Sequence, residues 1–522
     1  MANKMNLLKT ARNTAKDFLL THWKILLAIA IIQVIAYSYL LTGITFTNHT
    51  FPNVWLNPYP SYRTQGEGRW MADILIHLAG GSGNQSVQMS IAIFLQAVNG
   101  TLFAKWIGLK RHLHIFLIAA LLCLFPPFLD YYGFAIDLIA FVFGDTLCIL
   151  GAYLLKRGTF LSVLTSSLFY GLSLAIYGPK ISFVSFTAIS SIILRATEAN
   201  PFNTPTKNGQ MLKELLTPAF SVAVAMTIYW ITYKLSASYS AGIRTHTNSF
   251  EEVISEFLKS YSTTIQFFTG DLGGLPNIIR LMPLIIIVAG ASVAAANALL
   301  ARGSLASLLV LISVFLSPAA INATWIINKE AWSTPGRLYT AYAYFFLFYL
   351  SFLLRWRPSR KVIELTTLAM IYLFFTLASQ QSNALELKTA YETSHINRIV
   401  QRVEPLLPDK TTSDTRPGLV IIGDIPPFDV KQYVRFQPRL GVSHALKTQG
   451  FESYRHIEIF NFFLGRQGVR RPTTSEQKAV IEESRIAQPW PSQQATFSTS
   501  QVIGVVLEKY RPGDSVTWHD KQ

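Results

Sequence analysis

The sequence predicts a polytopic α-helical membrane protein carrying a small C-terminal α/β domain. Three observations lead there. The chain of 522 residues is 50% hydrophobic and only 14% charged. Apolar runs of roughly 20 residues, the length that crosses a hydrocarbon core, recur up to about residue 380. Beyond that point the composition turns polar, with short apolar stretches separated by turn residues. A transmembrane domain over residues 1–383 and a C-terminal domain over 384–522 follow from this change.

Hydropathy places eleven spans, at about 23–43, 87–107, 114–129, 134–155, 159–177, 181–195, 217–235, 281–301, 304–323, 338–354 and 362–380. The first follows Lys4, Lys9, Arg12 and Lys16, as a signal peptide would. Its apolar run reaches about Leu41 without a small-residue cleavage site, so it reads as an uncleaved span. Span 181–195 is short, and 114–129 ends in Pro126-Pro127. With the N-terminus in the cytoplasm, the dense basic clusters all fall on that side. They are Lys105/Lys110/Arg111, Lys156/Arg157, Arg195/Lys207/Lys213, Arg302 and Arg355/Arg357/Arg360/Lys361, the positive-inside pattern of membrane proteins. The formal charge of +16 therefore reads as orientation and attraction to anionic membrane lipid, with no nucleic-acid partner implied.

An odd number of spans puts the C-terminal domain on the outer face. Its expected elements are a helix at 385–407, the linker PDKTTSDTRP, a buried strand at LVIIGD (419–424), a helix at SEQKAVIEESRI and a strand at QVIGVVLEKY (501–510). The segment EEVISEFLKSYSTTIQFF, in the outer loop 236–280, reads as an interfacial helix. Cys123 and Cys148 lie inside apolar runs and read as packing residues; neither a disulfide framework nor a metal spacing can be built from them. The chain shows no internal repeat and no low-complexity tract.

The chemistry-bearing residues gather at the outer ends of the spans. Between Asn53 and Gly80 stand Arg63, Glu67, Arg69 and Asp73, with Trp55, Tyr59, Tyr62 and Trp70 as flat faces that suit sugar rings. Acidic side chains near a bilayer are expensive and usually have a task. Glu67 and Asp73 precede the second span, Asp130 ends the third, and Asp137 lies one turn into the fourth. Asp130 and Asp137 share a face if one helix runs through both, but Gly133 stands between them. Asp145 lies deeper, as a packing or polar-network residue.

A positioned carboxylate can take the proton from an attacking hydroxyl, and Arg or Lys can stabilise a leaving phosphate. The outer cations available are Arg63, Arg69, Lys180 after Tyr177-Gly178-Pro179, and Arg337 after Pro335-Gly336. Against this stand the general enrichment of Trp and Tyr at membrane interfaces and the snorkelling of Arg at helix ends. His77 reads as bland, and the sequons at Asn48, Asn99 and Asn322 as chance matches.

Four stretches carry a family resemblance: GRWMADILIHL (68–78), FLDYYGFAIDLIAF (128–141), STPGRLYTAY (333–342), and the tail with LVIIGDIPP, LGRQGVRR and AQPWPSQQ…VIGVVLEKY. In their order along nearly the whole chain, they resemble the bacterial type II O-antigen glucosyltransferases, the serotype-converting enzymes often carried by temperate phages. The resemblance implies a membrane glycosyltransferase of the C-type superfamily. It would take glucose from undecaprenyl phosphate-glucose and add it, with inversion, to O-antigen of the lipopolysaccharide at the periplasmic face. It implies no soluble cofactor, and as functional partners a lipid-sugar synthase and a flippase; no metal is indicated. Catalytic roles then fall to Glu67, Asp137 and Asp130, and substrate binding to Arg63, Arg69, Trp70, Asp73, Tyr177, Lys180 and Arg337. One departure bears on the base. Relatives carry paired aspartates ahead of the GR dipeptide, whereas here Asn57-Pro58 occupies that neighbourhood and residues 43–72 hold no aspartate.

Competing readings are a related enzyme moving arabinose or mannose to a protein or lipid A, a lipid-linked sugar transporter, an O-antigen polymerase, and a structural membrane protein. A transporter would show internal repeats and charged or broken helices at the midplane. A structural protein would not need Glu67, Asp130, Asp137 and Arg337 on one side.

Overall fold

The architecture comes from a computed structural model that describes residues 2–42, 62–79, 85–134, 137–197, 208–237, 248–269, 277–328, 336–408, 416–430, 451, 456–499 and 501–517. Trp55, Tyr59, Asn57-Pro58, Asn48, Pro335 and most of the linker before residue 416 lie outside the described residues.

Among the described residues, nine helices are long and apolar enough to cross a membrane. A tenth crossing arises if the bent pair His112–Cys123 and Pro126–Gly133 counts as one. The bend of 53° falls at Pro126-Pro127, where two missing N–H groups and two ring clashes break the helical ladder. The span expected at 159–177 is the helix Phe160–Ile176, 17 residues long. Thr159 caps its start by accepting from Ser162 N at 3.2 Å, and Gly178-Pro179 ends it.

The centre of the bundle is the helix Thr340–Arg355, whose residues 340–354 are all buried. A helix apolar on every side belongs in the interior. Its rings pack in series: Phe183 stacks on Tyr344 at 3.9 Å, and Phe186 and Phe348 meet edge to face. Large apolar side chains also cover the outside, Leu235, Leu300 and Tyr372 among them. That inversion of the usual surface is what a hydrocarbon surround permits.

The amphipathic helix Phe250–Thr269 turns Phe250, Ile254, Leu258 and Ile265 outward and Glu256, Ser260, Thr263 and Thr264 inward. Asn322 holds it, donating to Thr264 Oγ1 (3.1 Å) while accepting from Tyr342 (2.7 Å).

The final helix runs unbroken from Arg360 to Val403, 44 residues, or about 66 Å. The span expected at 362–380 and the helix expected at 385–407 are therefore one rod, about twice the thickness of a hydrocarbon core. Its far end enters the C-terminal domain. There β1 (Gly418–Ile422), β2 (Thr496–Ser498) and β3 (Val502–Val506) form a sheet in the order β1-β3-β2, with β1 and β3 parallel. Alternate residues serve two cores, because successive strand side chains point to opposite faces. Leu419, Ile421, Ile503 and Val505 pack on Ile396, Ile399 and Val403 of the rod. Val420, Ile422 and Val502 pack on Val480 of the helix Thr474–Glu483. Burial on both faces explains the unbroken apolar run LVII. The helices His456–Leu464 and Thr474–Glu483 complete the domain, the second opened by a capping box between Thr473 and Glu476.

Candidate active site

The site is assembled around the residues that follow the first span. Tyr62–Gln65 forms one helical turn, and Gly68 then reverses the chain at φ 65°. Gly68 N donates to Thr64 O (3.1 Å) and Arg69 N to Arg63 O (2.7 Å). Only glycine fits: the backbone is left-handed, and a Cβ would lie 2.1 Å from Cδ2 of Tyr233. The reversal sets Arg69 Nη1 3.0 Å from Glu67 Oε2. The helix Trp70–Leu78 starts at once, burying Ala72, Asp73 and Ile76. Asp73 ties it to the preceding turn, accepting from Thr64 Oγ1 at 2.8 Å, with His77 Nδ1 at 3.6 Å.

Two further segments meet this turn. Arg63 Nε donates to Asp137 Oδ1 at 2.9 Å, and both residues are buried. Asp137 stands at the N-cap of the helix Leu138–Leu155, not one turn inside it as the expected span 134–155 implied. The helix Leu129–Gly133 ends before Phe134, so Asp130 and Asp137 belong to separate helices. A carboxylate at that helix N-terminus also sits well in the helix dipole. From the other side comes Tyr177, whose ring lies 4.8 Å below the Arg69 guanidinium. The Arg337 guanidinium faces the same ring at 5.8 Å, and Phe134 at 4.2 Å. Two guanidiniums therefore share one aromatic ring. Arg337 is 9% exposed, and its Nη1 is buried without a hydrogen-bond partner among the described residues.

Arg63, Glu67, Arg69, Asp137, Tyr177 and Arg337 are thus brought together. Lys180 turns inward beneath them, donating to Tyr131 OH (2.6 Å) and pairing with Asp145. Tyr131 OH meets Thr340 Oγ1 at 2.8 Å, and Thr340 Oγ1 donates to Arg337 O at 3.2 Å, so this buried chain ends under Arg337. Asp130 is fully buried on the helix Leu129–Gly133. Trp70 opens the helix Trp70–Leu78 half-buried, its Nε1 without a partner among the described residues.

Tyr131, Phe134, Phe141, Thr340 and Tyr233 belong to the surroundings of the site without having been singled out as candidates from the sequence. Phe134 and Phe141 lie inside the FLDYYGFAIDLIAF motif, which was the available signal. Tyr233, in a helix read only as a span, gave none. Among the described residues no three His, Cys, Asp or Glu side chains are grouped to hold a metal.

An apolar-surfaced helical bundle with buried arginines and carboxylates gathered at one mouth defines a polytopic membrane protein equipped to hold an anionic group. The particular family is given by comparison with known proteins. The chain belongs to the glucosyl transferase GtrII family, whose model matches residues 53–354. The match covers more than half of the chain, includes every site residue named above, and agrees with the resemblance carried by the sequence motifs. The protein is accordingly a membrane glycosyltransferase of the glucosyl-transferring kind. No curated protein and no solved structure matches the chain.

Proposed function

We propose that the chain moves glucose from undecaprenyl phosphate-glucose onto O-antigen at the periplasmic face of the inner membrane. The observation that carries this reading is the buried, unpartnered Nη1 of Arg337, facing the Tyr177 ring that Arg69 also covers. A buried N–H without an acceptor is costly. Phosphate oxygens are the acceptors a guanidinium fork matches best. The polyprenyl tail lies between spans, in contact with membrane lipid, and its phosphate meets Arg337 and Arg69. The basic clusters at the opposite helix ends support an outward-facing mouth, by the positive-inside tendency of membrane proteins.

Glu67 is the base in this reading: each carboxylate gives one oxygen to an arginine, Glu67 to Arg69 and Asp137 to Arg63, and the Glu67 side chain is the more exposed of the two, 8% against 4%. The acceptor hydroxyl oxygen bonds to C1 of glucose as the C1–O bond to phosphate breaks. The bonding pair leaves with the phosphate, Glu67 takes the hydroxyl proton, and attack opposite the leaving group inverts C1. Asp137 holds Arg63 in place. The donor brings its own activated bond, so no soluble cofactor enters; a lipid-sugar synthase and a flippase supply the donor.

The test is transfer from undecaprenyl phosphate-[14C]glucose to O-antigen by the purified protein in detergent. Wild type labels the polysaccharide, and Glu67→Gln lowers kcat by roughly 10²–10⁴. If Asp137→Asn abolishes transfer while Glu67→Gln does not, the base is Asp137. A donor left intact with every acceptor overturns the glucose assignment, and intact donor crossing proteoliposomes makes the protein a transporter.

A further inference from the structure

A second concave site lies in the C-terminal domain. A half-open cleft of about 80 Å³ is lined by His395 and Ile399 of the long helix, Asp424 and Pro426 after β1, Glu508 after β3, and Trp490. Parallel strands collect ligands beyond their carboxyl ends, where neighbouring loops diverge, and Asp424 and Glu508 stand just past those ends of the parallel pair β1 and β3. Gly423 makes this possible: at φ 85° it turns the chain, and a Cβ there would meet Glu508 N at 2.9 Å. Trp490 is fixed as a wall. Its backbone N–H donates to Val506 O (2.9 Å), and the Arg402 guanidinium lies 4.1 Å from its ring. Arg402 also donates to Pro491 O and Ser492 O, so the Trp490 loop is clamped to the rod that comes out of the bundle.

The chemistry of this cleft differs from that of the Arg337 mouth. Among the described residues no lysine or arginine lines it, so these residues do not favour an anion. Its two carboxylates accept hydrogen bonds from hydroxyl groups, and a half-buried indole offers an apolar face to the C–H side of a pyranose. A preformed, concave, partly aromatic surface with a few placed polar groups is the usual form of a small-ligand site.

We propose that the cleft binds a neutral sugar residue of the acceptor polysaccharide and so holds the chain while another of its residues is glucosylated. That the bound sugar belongs to the acceptor rests on the glucosyltransferase reading; saccharide binding by the cleft does not. The long helix links the two domains, since His395 and Ile399 lie on the rod that begins at Arg360 and packs against the bundle before entering the C-terminal domain.

The experiment uses the full-length protein in detergent and labelled, delipidated O-polysaccharide. Equilibrium dialysis measures binding, and the transfer assay measures the acceptor KM. Trp490→Ala and the double variant Asp424→Asn/Glu508→Gln each weaken binding at least tenfold, and the loss in transfer falls on KM rather than kcat. Asp424 and Glu508 are exposed, so the double variant keeps the fold even where Trp490→Ala does not. Binding and KM within twofold of wild type in the double variant overturn the proposal. Calcium retained by wild type and lost in the double variant, with no polysaccharide bound, makes the cleft a cation site and also overturns it. If wild type transfers no glucose yet binds polysaccharide, and the variants do not, the glucosyltransferase reading falls and the saccharide cleft stands.

Discussion

Lys180→Met isolates a carboxylate in the interior of the bundle. Lys180 is 3% exposed and Asp145 1%, and Asp145 sits within the apolar helix Leu138–Leu155. Removing one partner of a buried pair leaves the other charge uncompensated and costs about 3–5 kcal/mol, or roughly two to three and a half powers of ten in the folded population. The double variant Lys180→Met/Asp145→Val removes both charges. Replacement of a whole buried pair by apolar groups is often neutral, so the remaining cost is the lost donor to Tyr131, about 1 kcal/mol, because Tyr131 keeps Thr340 at 2.8 Å. The assay is survival of the monodisperse peak on size exclusion after heating in detergent, for wild type, both single variants and the double. Both single variants melt well below wild type and the double recovers most of the difference. If Lys180→Met is as stable as wild type, or if the double variant is no better than the single, the strut interpretation is wrong. Glucose transfer read on the same samples separates the roles: a strut lets activity return with the double variant, whereas a phosphate ligand does not.

Three other perturbations test the remaining geometry. Gly68→Ala forces a β-carbon into the left-handed region at φ 65°, 2.1 Å from Tyr233. The strain alone is about 1–2 kcal/mol, and displacement of the Glu67–Arg69 pair lowers kcat/KM at least tenfold while the protein still purifies. Arg337→Lys keeps the charge but loses the planar fork and the face laid on Phe134 at 4.2 Å. The loss is at least tenfold in kcat/KM for the lipid donor, and a Lys variant equal to wild type would remove Arg337 from phosphate binding. The third concerns His456, fully buried with Nδ1 2.8 Å from Thr517 Oγ1. Burial pushes its pKa from 6.5 down to about 3. The folded domain therefore keeps His456 neutral while the unfolded chain takes up a proton below 6.5, so stability present above that pH is lost progressively as pH falls towards 3. The full effect is about 5 kcal/mol. Protease sensitivity of the region after residue 416 rises over that interval in wild type and less steeply in His456→Gln.

The positions of the site residues were legible because membrane topology sorts residues by helix end. Once the basic clusters were assigned to one side, Glu67, Asp137, Tyr177 and Arg337 fell together on the other. The strands were legible too: LVII and VIGVV are unbroken apolar runs because both faces of their sheet are covered. Hydropathy misplaced the start of the fourth span, since Phe134 is as apolar as the helix that follows, and only backbone geometry shows Asp137 at the cap. It also separated one rod into a span and an outer helix, because composition changes near residue 380 while the backbone hydrogen bonding does not.

Pairing was the part that sequence did not show, and the reason lies in the distances along the chain. Arg63 and Asp137 are 74 residues apart, and Lys180 and Tyr131 are 49. A cation at a helix end has three indistinguishable fates in a sequence: to snorkel, to bind substrate, or to neutralise a buried acid. Which one is realised depends on what packing places nearby. Lys180 meets Asp145, an acid without access to water, and a buried charge without a counterion costs more than any ligand contact is worth at a mouth open to solvent. Arg337 meets the faces of Phe134, Phe141 and Tyr177, which attract its charge but accept no hydrogen bond from Nη1 in the plane of the guanidinium. The same helix-end position thus yields a strut in one case and, in the function proposed above, a receptor for an anion in the other, and the difference is made by the neighbour's chemistry rather than by the residue's own.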